Sequence, residues 1–165
     1  YASHTNFDVM GMGDEAAERL ALEERSVLEI TFEDELSQEG IGRVGILPEC
    51  MTLRECASYV KETFDLDTVK VFGEEDRKVR KAAVVPGAGK DYIRQAVRAG
   101  ADVYITGDIG HHDGIDALEQ GLTIIDAGHF GVEQIFVPYM KEFLSRELPS
   151  LHLLSARQQE PFWYE

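Results

Sequence analysis

The chain has 165 residues, 44% of them hydrophobic and 28% charged, with a formal net charge of −15. That length suits a single domain or one large piece of a two-domain protein, read here as one unit over residues 1–165. The acidic balance and the scatter of the basic residues argue against nucleic acid as the main ligand, no apolar run approaches the ~20 residues of a membrane span, and no signal peptide is visible.

The chain opens without Met, directly in strand-like sequence, which predicts that further residues precede it. Tyr1 to Asp8 alternates as a strand, with His4, Asn6 and Asp8 on one face. Gly11 to Gly13 reads as a turn, and Asp14 to Leu22 as a short amphipathic helix. Ser26 to Leu36 has strand character with acidic residues on its outer face. The glycine-dense stretch from Gly40 to Gly45 suits a bulge or a close backbone approach. Cys50 and Cys56 fit neither a zinc knuckle nor a redox pair, and read as reduced thiols suited to the cytoplasm.

Thr52 to Phe64 predicts a helix: Thr52 and Glu55 form a capping box, and Leu53, Cys56, Val60 and Phe64 make an apolar stripe. Strands and helices then alternate. Strands are expected over Val69–Phe72, Val79–Val85, Asp102–Thr106 and Leu122–Asp126, with helices over Asp91–Ala99, His112–Gln120 and Val132–Leu148. Gly100, Gly121 and Pro149 stop the three helices, and Leu151 to Ser155 is expected as a last strand. The alternation predicts an α/β fold with a mixed, partly parallel sheet flanked by helices.

Two segments share one design, an apolar strand followed by a carboxylate, glycine and histidine. They are Tyr104-Ile105-Thr106-Gly107-Asp108-Ile109-Gly110-His111-His112 and Ile124-Ile125-Asp126-Ala127-Gly128-His129-Phe130-Gly131-Val132-Glu133. In open α/β sheets the carboxyl ends of strands line the ligand crevice. His129 and Glu133, four residues apart at a helix start, share one face within reach of one ion. Imidazole with carboxylate suits Zn, Fe, Mn, Co or Ni better than Ca. The same pair also reads as an ordinary helix start, with Glu favouring the dipole. His111 and His112 either ligate from a loop, or cap the helix and bond Asp108 or Asp113. Asp8, with His4 and Asn6, either faces solvent or lines a site.

The loop Pro86-Gly87-Ala88-Gly89-Lys90-Asp91 between a strand and a helix meets neither the Walker nor the dinucleotide pattern. It reads as a tight turn whose amides remain open to a phosphate-bearing substrate. No Gly-x-Ser-x-Gly elbow occurs, and neither Cys has a His nearby in sequence, so nucleophilic catalysis has no support. The aromatics Phe130, Phe136, Tyr139 and Phe143 and the tail Pro161-Phe162-Trp163-Tyr164 read as core or as a subunit contact.

Five segments in order give a wider match: Ser3-His4-Thr5-Asn6-Phe7-Asp8, Gly40 to Gly45, Met51-Thr52-Leu53, Thr106-Gly107-Asp108 with His111-His112, and Asp126-Ala127-Gly128-His129 with Glu133. Together they resemble the NGG-one-interacting-factor-three family, also known as the dinuclear-metal-centre hexameric or GTP cyclohydrolase I type two family. The resemblance implies a two-lobed α/β subunit, of which this chain lacks the N-terminal half, a hexameric ring and two divalent metal ions in an internal cavity. It implies Asp8, His129 and Glu133 as ligands, while the family's N-terminal His-His pair has no counterpart here. His111 and His112 are then placed around the cavity rather than equated with that pair. The activity implied is a metal-dependent hydrolase or cyclohydrolase acting on a nucleotide-like substrate, with His111, His112 or Asp108 shuttling protons. The alternative is a ring-forming scaffold or regulatory protein that binds metal and partner proteins without catalysis.

Overall fold

The structure is a computed structural model that describes residues 8–160, 162 and 163. The strand expected from Tyr1 therefore lies outside the described residues except for Asp8, which opens a π-helical turn, Asp8–Met12. That turn runs into α1 (Gly13–Arg19). The remaining elements are β1 (Glu23–Glu33), β2 (Gln38–Thr52), α2 (Leu53–Phe64), β3 (Lys70–Phe72), β4 (Lys78–Ala88), α3 (Ile93–Arg98), β5 (Val103–Gly107), α4 (His111–Glu119), β6 (Thr123–Asp126), α5 (His129–Glu133) and α6 (Phe136–Glu147).

The strands form one six-stranded sheet in the order β1-β2-β4-β5-β6-β3. β4, β5 and β6 are parallel, and β1, β2 and β3 join antiparallel, so the expected mixed sheet is found. The parallel strands are buried on both faces, as their unbroken apolar runs require. Alternate residues feed two cores. Ala82, Val84, Ile105 and Ile125 pack with α1, α2 and α5. Ala83, Val85, Tyr104 and Ile124 pack with α3 and α4.

Local chemistry explains most boundaries. Thr52 caps α2, its hydroxyl accepting from the Glu55 N–H at 3.2 Å while the Thr52 N–H donates to Glu55 Oε2 at 2.7 Å. The helix expected from Val132 to Leu148 is broken at Gln134–Ile135 into α5 and α6. Pro138 has no N–H to give to the Gln134 carbonyl, so the ladder restarts there. The last expected strand does not form, since Leu151 and Leu154 are exposed and residues 152–160 pair with no sheet edge. Among the described residues no helix is long and apolar enough to cross a membrane.

The two cysteines, both free, differ sharply. Cys56 lies in the core, and burial pushes its thiol up to about 12, whereas Cys50 is exposed. The thiolate is the reactive form. A chromogenic disulfide reagent is expected to titrate one thiol in the native chain and the second only after unfolding. Two fast thiols in the native protein would contradict this packing.

Candidate functional site

Because β4, β5 and β6 run parallel, their carboxyl ends emerge side by side. β4 runs out through Pro86, Gly87 and Ala88. β5 ends at Gly107 and delivers Asp108. β6 ends at Asp126 and turns through Ala127 and Gly128 into His129. Gly87 and Gly107 are required here. A Cβ on Gly107 would meet Gly128 C and His129 N at 2.5 Å, so the two loops touch backbone to backbone. Gly87 has φ +78°, and a Cβ there would strike the Glu133 carboxylate.

A cleft of about 280 Å³ opens at this edge, lined among others by Asp8, Met12, Gly87, Tyr92, His129 and Glu133. The three residues expected as ligands thus line one cleft, although Asp8 stands 121 positions before His129 in the chain. His129 Nε2 lies 3.1 Å from Glu133 Oε1, and His129 Nδ1 lies 2.8 Å from Asp108 Oδ2. Burial works to lower the His129 pKa, but the Asp108 hydrogen bond and the charges of Glu133 and Asp108 outweigh it, so the imidazole is held above its ordinary value. A larger groove of about 400 Å³ lies between α2 and β3, but its lining contains no histidine, and its Arg54 is paired with Glu75. The smaller cleft gathers the imidazole and carboxylates and is the better site.

The donor set can be tested against an ion. With bonds of about 2.0–2.2 Å to nitrogen and carboxylate oxygen, two neighbouring ligand atoms stand about 2.8–3.1 Å apart in octahedral geometry and about 3.3–3.6 Å apart in tetrahedral geometry. The observed 3.1 Å between His129 Nε2 and Glu133 Oε1 matches the octahedral spacing. Among the described residues, no three His, Cys, Asp or Glu side chains already stand together as an ion site. Asp8 would have to close on the pair across the cleft.

His111 and His112 head α4, both exposed, their rings edge-to-face at 5.5 Å, and neither lines the cleft. The cap of α4 is Gly110, with no side-chain hydrogen bond. Asp108, read from sequence as a proton shuttle, is the neighbour of His129 Nδ1. The loop Pro86-Gly87-Ala88, read as a turn, lines the cleft itself.

Two further residues were not among the expected site residues. Asp126 is 6% exposed and accepts the N–H groups of Ile109 at 3.0 Å and Gly128 at 3.1 Å. Lys70 on β3 places Nζ 2.8 Å from Asp126 Oδ2 and donates to the Ile109 carbonyl at 2.7 Å. Asp126 thus ties the loop after β5 to the turn after β6. The repeat of strand, carboxylate and glycine hints at Asp126, but nothing near Lys70 in sequence signals its partner.

The fold and site define a mixed α/β protein with an imidazole–carboxylate cleft at the carboxyl ends of parallel strands. The Duf34/NIF3 family (NGG1p interacting factor 3) matches residues 1–161, and the chain belongs to that family. A Clostridium acetobutylicum protein named GTP cyclohydrolase 1 type 2 homolog is 37% identical over 172 residues, covering 100% of this chain and 64% of that protein. A Streptococcus pneumoniae protein of the same name is 39% identical over 153 residues, covering 88% of this chain and 55% of that one. The chain therefore spans less than two thirds of the length of these relatives. The crystal structure of a Bacillus cereus protein related to NIF3 superposes with a TM-score of 0.87 at 25% identity, over 100% of this chain and 73% of that one. Reduced HcgD from Methanocaldococcus jannaschii gives a TM-score of 0.70 at 34% identity, over 90% of this chain and 57% of that one.

Proposed function

We propose that this chain carries part of a two-metal site and belongs to a metal-dependent hydrolase or cyclohydrolase acting on a nucleotide-like substrate. The observation that carries the reading is the 3.1 Å separation of His129 Nε2 and Glu133 Oε1 in a cleft that Asp8 also lines. In this reading His129, Glu133 and Asp8 hold the divalent ions, with Zn, Fe, Mn, Co or Ni matching the nitrogen and oxygen donors. When bound, such ions supply Lewis acidity and acidify water at neutral pH. The chain's own part is positional: Gly87 leaves room for the Glu133 carboxylate, and Tyr92 and the Pro86–Ala88 backbone wall the cleft. The name shared by the relatives favours a nucleotide-like substrate, and of the expected proton shuttles His111, His112 and Asp108, it is Asp108 that contacts a cleft residue.

The companion reading is a ring-forming, non-catalytic scaffold that binds metal and partner proteins. Ile30, Phe32 and Leu36, exposed on the β1–β2 hairpin, favour assembly into a homo-oligomer, taken here as the hexameric ring of the full-length protein. Free thiols favour the cytoplasm for either reading.

The test is zinc and manganese uptake by the full-length protein, followed by turnover of a nucleotide and phosphate-ester panel. Glu133→Gln is expected to weaken ion binding at least tenfold and to remove metal-dependent turnover with it. Binding that is unchanged in this variant would remove Glu133 from the site. Metal uptake without any turnover would favour the scaffold.

A further inference from the structure

His129 stands between two carboxylates, and a neutral imidazole carries only one N–H. Asp108 Oδ2 faces Nδ1 at 2.8 Å, and Glu133 Oε1 faces Nε2 at 3.1 Å. The two carboxylates therefore compete for one proton position. If Nε2 carries the hydrogen, that nitrogen has no lone pair for an ion. If Nδ1 carries it, Nε2 is free on the side where Glu133 lies.

The backbone that carries Asp108 is held in place. Asp108 has φ +59°, a conformation that a non-glycine residue adopts rarely, though aspartate tolerates it better than most. The residue that follows is gripped on both sides: the Ile109 N–H by Asp126 Oδ2, and the Ile109 carbonyl by Lys70 Nζ. The same Asp126 carboxylate holds the Gly128 N–H, one residue before His129. One buried carboxylate thus sets the spacing of the Asp108 loop and the His129 turn. Glu133 sits one turn along α5, its side chain 18% exposed.

We propose that Asp108 is a positioning residue that fixes His129 in the Nδ1–H tautomer and so keeps Nε2 available to an ion. This rests on the metal-binding reading and adds a device to it: a carboxylate that never touches the ion decides which ring nitrogen can. Carboxylate–histidine–metal arrangements of this kind commonly change metal affinity by about 10–100-fold when the outer partner is lost.

The experiment uses the full chain with ¹⁵N-labelled histidine, at a pH where the ring is neutral and without added metal. Long-range ¹H–¹⁵N correlation separates the two tautomers, and His129→Gln assigns the signals. The wild type is expected to show Nδ1–H. Asp108→Gly, which suits the positive φ, is expected to shift His129 to Nε2–H facing Glu133, and to weaken zinc binding, read by chelator competition, by about 10–100-fold. Asp108→Asn keeps an acceptor oxygen and is expected to restore both the tautomer and most of the affinity. A purely structural role would leave the tautomer unmoved in Asp108→Gly, and that result overturns the proposal. A tautomer switch with zinc affinity changed less than threefold also overturns it. A wild-type chain that takes up no zinc sinks the metal-binding reading instead, and the metal-free tautomer shift then decides the role of Asp108 alone.

Discussion

Replacing Arg43 by methionine is expected to lower the unfolding free energy by about 3 kcal/mol, the lower end of the range for breaking a buried ion pair. Arg43 sits on β2 with a side chain only 5% exposed. Its Nε and Nη2 pair with both Asp14 oxygens at 2.6 and 2.7 Å, and its Nη1 donates to the carbonyls of Gly40 and Gly42 at 2.9 and 2.8 Å. Methionine keeps the apolar stem and removes all four contacts. Asp14 is half exposed and can return to water, which places the cost at the low end; the two carbonyls lose charge-assisted bonds. For a chain of this size the midpoint is expected to fall by about 6–12 °C. Asp14 opens α1, directly after the turn that begins at Asp8. Under the metal-binding proposal, loosening that anchor is expected to weaken as well the ion binding assigned to Asp8. Arg43→Lys, which keeps one cation but not the fork, should fall between the two. A loss below 1 kcal/mol in denaturant unfolding for Arg43→Met would show that this buried fork does not hold α1 to β2.

This anchor also shows why parts of the molecule were legible in sequence and parts were not. Capping of α2 by Thr52 and Glu55 is a signal that lies within four residues, and it was readable because helix ends are settled locally. The parallel strands were readable because strands covered on both faces must be apolar throughout. His129 and Glu133 were readable as a pair because helical spacing fixes their face. What could not be read depends on which strands become neighbours. β3 follows α2 in the chain but adds to the far edge beside β6, so Lys70 meets Asp126 across 56 positions of sequence. The partnership of Asp108 with His129 likewise appears only once β5 and β6 lie side by side. The split between α5 and α6 was legible in principle. Pro138 stands inside the apolar pattern, but that pattern alone predicted one continuous helix.

The second large effect is expected at Asp126, through which the two site loops are joined. Asp126→Ala removes the acceptor for the Ile109 and Gly128 N–H groups, each costing about 1–3 kcal/mol when left unsatisfied in a buried place. Lys70 contributes less to the loss, because its side chain is 56% exposed and its ammonium can turn to water. A net loss of about 2–4 kcal/mol follows and, under the metal-binding proposal, a fall in ion affinity, because Asp108 and His129 are no longer held at one spacing. Asp126→Asn separates the two effects. Its amide keeps one acceptor oxygen but presents an NH₂ where the second N–H needs an acceptor, so it repairs one loop contact and not both. It is expected to recover part of the stability while ion binding stays impaired. Lys70→Met leaves the carboxylate and both N–H bonds in place but removes the cation beside a carboxylate that is 6% exposed, and is expected to cost about 1–3 kcal/mol. If Asp126→Ala unfolds at the wild-type denaturant midpoint, or if Asp126→Asn binds zinc as tightly as the wild type, the carboxylate does not join the two loops. The His129 imidazole would then owe its placement to α5 alone.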